Sequence, residues 1–213
     1  MREKFKPKIE DREEEETEQK NFEKEAKEIE KLEYSSEKLK SILGLIDENI
    51  FPENPLPVKI VKKIESKYKG KIPAAKHYFD ENEKGEMINE HYRVNKGVDK
   101  GNYEFIDLKG VAIHETRHRI QHALKPELFN KENIKGFKEK YPALTFLIDN
   151  FPKELSPEDF DACLVENLSL SLIRNNVSLS EILENIISKN PEEILKNVEE
   201  LAKEHGFEIP NIT

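Results

Sequence analysis

The sequence predicts an α+β fold in which a small three-stranded antiparallel sheet packs on a mainly helical domain. Three short runs rich in β-branched and aromatic residues indicate strands at residues 74–79, 87–94 and 103–108. The segments between them contain the Gly, Asn and Asp residues that are typical of hairpin loops. Elsewhere apolar residues recur at helical spacing, which indicates amphipathic helices. The chain of 213 residues is long enough for one such domain with an appendage.

The appendage is the segment over residues 1–33, which consists almost entirely of Glu and Lys. Its few apolar residues follow helical spacing: Phe22, Ala26, Ile29 and Leu32. Either a charged helix or a disordered N-terminal arm is therefore expected. The folded domain then covers residues 34–213. It begins with a helix capped by Ser36, which is followed by an amphipathic helix over residues 58–68.

Start and stop signals place the remaining helices. Asp107 is the N-cap signal of the next helix, and a further helical run is expected over residues 137–148. Ser156 marks the start of a helix that is apolar on nearly every side. Two amphipathic helices over residues 180–188 and 191–205 complete the domain.

Composition bounds the partners and the location. The formal net charge of −9 argues against nucleic acid or an anionic membrane as the main partner, because both select basic protein faces. Cys163 is the only cysteine, which excludes an intramolecular disulfide. No apolar run is long enough to span a membrane, and the N-terminus lacks the apolar segment of a signal peptide, so a cytoplasmic location is expected. Abundant Glu and Lys with no Trp resemble the composition of thermophile proteins.

The motif that carries chemistry is His114-Glu115-Thr116-Arg117-His118, on one of the predicted helices. Residues four apart lie on neighbouring turns of one helix face, so His114 and His118 can direct ring nitrogens at a single ion. Glu115 lies about a quarter turn away, where it can take a proton from a water held by the metal. This spacing predicts a zinc hydrolase site with two histidine ligands and Glu115 as the general base.

A catalytic zinc needs a third protein ligand, and the apolar helix offers Asp159, Asp161 and Glu166. A carboxylate in such a helix costs several kcal/mol unless it is paired or bound to a cation. Asp159 and Glu166 share a helix face, whereas Asp161 points to the opposite side. Asp159 has a competing explanation as the acid of a capping box, and Glu166 has one as a salt-bridge partner. Both residues are therefore candidates.

Together these residues resemble the zincin metallopeptidases with an HExxH motif, especially the gluzincins, whose third ligand comes from a downstream helix. The order of strands, ligand helix and acid-bearing helix is similar to that of the reduced catalytic domains called minigluzincins. In several HExxH families the later helix reads acid, any residue, acid, Ala, then Asp or Asn. Asp159-Phe160-Asp161-Ala162-Cys163 departs from this pattern by Asp at the ligand position and by Cys163 where an acid or amide supports a ligand histidine.

The resemblance implies a zincin-like domain and a zinc-dependent metallopeptidase, a hydrolase that acts on peptide or protein substrates. It implies one zinc ion held by His114, His118 and Asp159, with Glu166 as the alternative third ligand. Glu115 is the implied catalytic residue. The predicted strand before the motif helix would then receive an extended peptide as an additional strand.

The other histidines and the arm have their own expectations. His77 and His91 belong to predicted strands and are expected to be ordinary strand residues. His122 is expected at the rim of the site, beside its ligands or simply exposed. His205 is expected at the surface near a helix end, with an oxyanion donor as the alternative that the resemblance offers. The competing function is a non-catalytic helical binding or regulatory protein with a vestigial or structural metal site. The arm over residues 1–33 is considered as an autoinhibitory segment that lies over the site.

Overall fold

The computed structural model describes residues 9–65, 73–84, 87–100, 106–124 and 156–208. These ranges form an α+β structure, in agreement with the fold class that the sequence predicts. Their helices are α1 (Ile9–Glu30), α2 (Ser36–Ile50), α3 (Leu108–Leu124), α4 (Pro157–Arg174), α5 (Leu179–Ile182) with a π-helical turn (Leu183–Ile187), and α6 (Pro191–Glu204). Among these described helices, none has the length and apolar character needed to cross a membrane.

The sheet is mixed rather than antiparallel. Its strands are β1 (Val58–Val61), β2 (Ala75–Glu81) and β3 (Met87–Asn95), in the spatial order β1-β3-β2. β1 runs parallel to β3, and β2 runs antiparallel to β3. The prediction of an antiparallel sheet is therefore wrong for β1. Parallel strands are joined by long connections, so their pairing leaves no hairpin signal in the sequence.

β1 occupies the beginning of the segment that the sequence predicts as a helix over residues 58–68, and that prediction is wrong for Val58–Val61. Within four residues, the spacing of apolar side chains does not distinguish a strand from a helix. The three β-branched residues of this segment favour a strand where β3 is available as a partner. The predicted strand over residues 103–108 lies mostly outside the described residues, and Leu108 is the first residue of α3. The helical run predicted over residues 137–148 lies outside them entirely.

The predicted helix starts are confirmed by their caps. Asp107 and Ser156 each accept a hydrogen bond from a backbone N–H in the first turn of α3 and of α4. Asn190 does the same for α6. In α2 the N-cap is Ser35 rather than the predicted Ser36. Local capping signals therefore locate these helix starts to within one residue.

α3 lies at the centre of the fold, in contact with α2, α4 and the sheet. A buried polar network fixes this arrangement. Asp47 on α2 accepts hydrogen bonds from Arg119 Nη1 at 2.6 Å and from the Tyr92 hydroxyl at 2.8 Å, which joins α2, α3 and β3. The sheet is thereby held against one side of α3 while α4 covers another. Side chains of α3 that face α4 and β2 line the candidate site.

The charged arm forms helix α1, and its second half is packed against the domain. Phe22 is buried, and Ala26 and Ile29 pack against the hydrophobic core. Glu23 Oε1 accepts hydrogen bonds from the backbone N–H and the hydroxyl of Ser180, at 3.2 and 2.6 Å. This part of the arm is therefore ordered by contacts with α2 and α5.

Candidate metal centre

His114 and His118 lie on the face of α3 that meets α4, with 19% and 17% of their side-chain surface exposed. Their Nε2 atoms are 3.2 Å apart. Four residues advance an α-helix by little more than one turn, so the two rings lie one above the other. The two nitrogens therefore face the same small volume.

The other ring nitrogen of each histidine contacts a hydrogen-bond acceptor. His114 Nδ1 lies 3.0 Å from Glu166 Oε2, and His118 Nδ1 lies 2.9 Å from Gln121 Oε1. Because a carboxylate or an amide oxygen accepts, each Nδ1 is assigned a proton. The Nδ1 contacts thus hold both rings in the orientation in which a metal binds through Nε2. Burial opposes a charge on His114, but its contacts with Cys163, Glu166 and Glu115 raise its pKa well above the ordinary value. In the metal-free protein the charged His114 therefore donates its Nε2 proton to the Nε2 lone pair of His118.

Gly110 explains how Glu166 reaches the histidine ring. A Cβ atom at position 110 would lie 2.9 Å from Leu170 Cδ1 and 3.1 Å from Glu166 Oε1. Because glycine lacks this atom, α3 and α4 can approach closely at this point. The close approach brings the Glu166 carboxylate within hydrogen-bond distance of His114.

Asp159 lies at the start of α4, beside His118. Its Oδ1 is 3.5 Å from His118 Nε2, and its Oδ2 accepts a hydrogen bond from the Ser156 hydroxyl at 2.8 Å. The contact with the cap and the contact with the histidine use different oxygens, so the capping and ligand explanations of Asp159 are compatible. The ligand atoms of His114, His118 and Asp159 all lie within 4.8 Å of one another.

A second group of metal-binding side chains lies on the opposite side of the His114 ring. Cys163 Sγ is 3.9 Å from His114 Nδ1, and these two residues and Glu166 also offer ligand atoms within 4.8 Å of one another. A metal at this position would have to displace the proton that Nδ1 shares with Glu166. A metal held by His114, His118 and Asp159 would displace the proton between the two Nε2 atoms and would leave both Nδ1 contacts intact.

The geometry of the two histidines fits a zinc ion. Two imidazole nitrogens that each lie about 2.0–2.1 Å from a tetrahedral zinc are roughly 3.3 Å apart. The Nε2 atoms of His114 and His118, at 3.2 Å, have this separation. Burial and the neighbouring charge of His114 lower the pKa of His118 to about 3, so His118 is neutral at physiological pH. A neutral imidazole is the form that binds a metal.

Glu115 is buried between α3 and β2. Its Oε2 accepts a hydrogen bond from the backbone N–H of His77 at 2.7 Å. Burial raises the pKa of Glu115 to about 7, although the charge of His114 and the hydrogen bond from His77 act in the opposite direction. A carboxyl group that titrates near neutral pH can both accept and return a proton, as a general base in hydrolysis must.

Asp161 belongs to a buried network behind the histidines. Its two oxygens accept hydrogen bonds from Arg117, at 2.6 and 3.1 Å. Gln121 Nε2 donates to the same carboxylate at 2.8 Å, while Gln121 Oε1 contacts His118. The cost of burying the Asp161 charge is offset by these partners. The network also connects the packing of α3 on α4 with the orientation of His118.

The histidines and Glu115 open into a cavity of about 490 Å³, one wall of which is β2. His122 also lines it and packs on Phe79 with ring centroids 4.7 Å apart. His77 also lines the cavity, and it is the cross-strand residue that the sequence suggests, paired with Tyr92 on β3. None of the α1 side chains that the structure describes lines this cavity.

The contact between His118 and Gln121 was not anticipated from the sequence. Gln121 stands three residues after His118, a spacing at which helix side chains meet, so a signal for this contact was present. Glu166, which the sequence offers as an alternative third ligand or a salt-bridge partner, lies beside His114 but contacts Nδ1 rather than Nε2. His205 lies outside the site and contacts Glu181 at 3.0 Å.

His77 is expected to make the metal-free protein sensitive to acid. Burial, followed by the charges of His122 and Arg119, lowers the pKa of His77 to about 3 from its ordinary value of 6.5. In the unfolded chain this residue takes up a proton as the pH falls below 6.5, whereas in the folded chain it stays neutral to about 3. His77 therefore leaves the free energy of unfolding unchanged above pH 6.5. Between pH 6.5 and 3 it lowers this free energy by about 1.4 kcal/mol for each pH unit.

Urea unfolding at a series of pH values checks this expectation. The free energy of unfolding of His77→Gln should fall less steeply below pH 6.5 than that of the wild type, because glutamine does not titrate and keeps a donor for Glu90. His91→Gln, on the other face of the sheet, is the matched control. Equal slopes for the wild type and His77→Gln would contradict the prediction.

Comparisons of the chain with protein-family models, with curated proteins and with solved structures found no match. The geometry of the site is therefore the basis for assigning a class of protein.

Proposed function

We propose that this chain is a zinc-dependent metallopeptidase with a zincin-like domain of the gluzincin type. The observation that carries the proposal is the pair of Nε2 atoms at 3.2 Å, each on a ring whose Nδ1 is already bonded to an acceptor. In the metal-free protein one proton lies between these two nitrogens, and a zinc ion would take its place. The buried Glu115 beside them supports a hydrolytic site rather than a purely structural one.

His114, His118 and Asp159 would hold the zinc ion, and three protein ligands leave a position for water. Glu166 is proposed as the group that orients His114 instead of as the third ligand, because it contacts Nδ1 and not Nε2. In the resembled families a side chain at the position of Cys163 supports a ligand histidine. Glu166, one helical turn later on α4, would supply that support here.

When bound, zinc would activate a water molecule and stabilise the negative charge that develops on the substrate carbonyl oxygen. Glu115 accepts the proton of the attacking water and delivers it to the leaving amine. The backbone N–H of His77 holds the Glu115 carboxylate in position for both transfers. Glu166 and Gln121 keep the two imidazole rings oriented.

The free edge of β2 supports an extended peptide as the substrate. Within the described ranges β2 pairs with β3 on one side only, and its residues His77 and Phe79 line the cavity. An extended peptide can add to such an edge through main-chain hydrogen bonds, although the N–H of His77 on this edge is already bonded to Glu115. β2 therefore replaces the segment over residues 103–108 as the proposed substrate-binding strand.

Zinc affinities of variants test the ligand set. Glu166→Gln is expected to weaken zinc binding about 10–100-fold, because it alters an orienting partner of a ligand. Asp159→Ala should weaken zinc binding more than this, since it removes a ligand. Titration against a competing chromophoric chelator at neutral pH measures both, and Glu184→Gln, at an exposed position, is the matched control. A loss for Asp159→Ala no larger than that of the control would contradict its assignment.

The wild-type protein tests the function itself. Purified without chelators, it should contain one zinc ion per chain and hydrolyse unfolded protein substrates, and removal of zinc should abolish this activity. A protein that takes up no zinc, and whose stability does not respond to chelators, would contradict the proposal. That result would favour the competing binding or regulatory function.

A further inference from the structure

The face of the sheet turned away from α3 carries a compact cationic surface. Across β2 and β3, Lys76 pairs with Arg93 and Tyr78 pairs with His91. The Arg93 guanidinium lies 4.0 Å from the centroid of the Tyr78 ring, and the Lys76 ammonium lies 5.0 Å from it. The His91 ring stacks on Tyr78 at 5.7 Å. These four residues form a cluster that we call the Tyr78 platform.

Arg93 is held in place by the platform through its Nε atom. Its Nε donates to His91 Nε2 at 2.9 Å, and His91 Nδ1 bonds to the carbonyl oxygen of Asn89 at 2.7 Å. Within the part of the chain that the structure describes, no carboxylate pairs with Arg93 or Lys76, and no acceptor meets the Arg93 Nη atoms. A guanidinium fixed on an aromatic ring in this way is preorganised to bind a carboxylate with both Nη atoms.

The platform is a basic surface on an acidic protein, whose formal net charge is −9. Lys59 on β1 is exposed and stands opposite Arg93, which extends the basic surface across the sheet. The platform also borders the candidate site, since Lys76 and Tyr78 line the same cavity as Glu115. A ligand that reaches this cavity along β2 therefore passes the platform.

We propose that the Tyr78 platform binds acidic side chains of the peptide substrate and makes the protein selective for acidic segments. A peptide that adds to the free edge of β2 directs successive side chains to opposite faces of the sheet. The peptide side chains on the outer face would lie beside Lys76 and Tyr78. At this cross-strand distance an acidic side chain is attracted by the Lys76 ammonium. A segment with Glu or Asp at every second position fits this arrangement. The identification of the ligand as a substrate rests on the proposed peptidase function.

Peptide binding to the full chain tests the platform without turnover. Two short fluorescein-labelled peptides, with Glu or with Gln at every second position, are titrated by anisotropy against the zinc-loaded and the metal-free protein. The Glu peptide is expected to bind at least about tenfold more tightly than the Gln peptide. The double variant Lys76→Gln with Arg93→Gln should lose this preference. Lys62→Gln with Lys203→Gln, which removes the same charge from exposed positions elsewhere, should keep it.

Equal affinity of the wild type for the two peptides would overturn the proposal, as would an equal loss in the control variant. A third outcome that overturns it is self-association, seen by sedimentation, without binding of either peptide. Lys76→Gln with Arg93→Gln would then abolish the self-association and the control variant would not. The occupant would then be an acidic segment of a second copy, such as residues 13–16. Selective binding without cleavage would contradict the proposed peptidase function and would still support the acidic-peptide site.

Discussion

Replacing Glu115 by Gln is expected to lower kcat/KM for peptide hydrolysis by about 10²–10⁴-fold while one zinc ion per chain stays bound. The amide cannot accept a proton from the attacking water, so the general base is lost. Its oxygen can still accept the hydrogen bond from the His77 N–H, so the local structure is retained. Because no proposed ligand is changed, zinc binding should persist. Steady-state kinetics on an internally quenched peptide and elemental analysis of the same preparation measure the two quantities.

Glu83→Gln is the matched control for this experiment, because Glu83 is exposed on the connection between β2 and β3. It should leave both kcat/KM and the zinc content unchanged. Undiminished hydrolysis by a zinc-replete Glu115→Gln protein would rule out Glu115 as the base. Loss of zinc from Glu115→Gln would show that Glu115 holds the site together, which contradicts the role proposed for it.

Arg117→Met is expected to lower the free energy of unfolding by about 3–5 kcal/mol, the largest effect on stability that we predict for a single substitution. Arg117 is fully buried and donates to both oxygens of Asp161. Its Nη1 also donates to the carbonyl oxygens of Ile187 and Lys189, at 2.7 Å each. Methionine retains much of the side-chain volume but leaves the Asp161 carboxylate buried without a cation. Urea unfolding of the metal-free protein gives the magnitude.

The double variant Arg117→Met with Asp161→Leu should regain part of the lost stability, because replacing both members of a buried ion pair by apolar residues is often close to neutral. Arg174→Met, at the exposed end of α4, is the control for removing one arginine. If Arg117→Met stays within about 0.5 kcal/mol of the wild type, the Arg117–Asp161 pair does not hold α3 on α4.

Helices proved easier to predict from this sequence than strands. Asp107 and Ser156 predict the starts of α3 and α4 because an N-cap acts through hydrogen bonds within its own first turn. The sequence predicts a helix where β1 lies, since a run of four residues does not reveal its period and its partner β3 lies far along the chain. For the same reasons, the sequence does not show that β1 runs parallel to β3.

Within the candidate site, each residue was predictable to the extent that its position depends on one helix. The spacing of His114 and His118 makes their proximity a property of α3 alone. Asp159 is predicted as a ligand from the resemblance and from its place at the start of a buried helix. Its distance from His118, however, depends on how α4 packs on α3. The two explanations of Asp159, as a cap and as a ligand, proved compatible because each uses a different oxygen.

The sequence by itself determined the elements whose energetics are local, which are the capped helices and the histidine pair on α3. Only the tertiary structure decided which side chains complete the site. Gly110 allows α3 and α4 to approach until Glu166 contacts His114 instead of sharing the position of Asp159. The sheet likewise places the His77 N–H on Glu115. Such contacts join residues that are distant in sequence, and their distances follow from the packing of whole elements rather than from any local pattern.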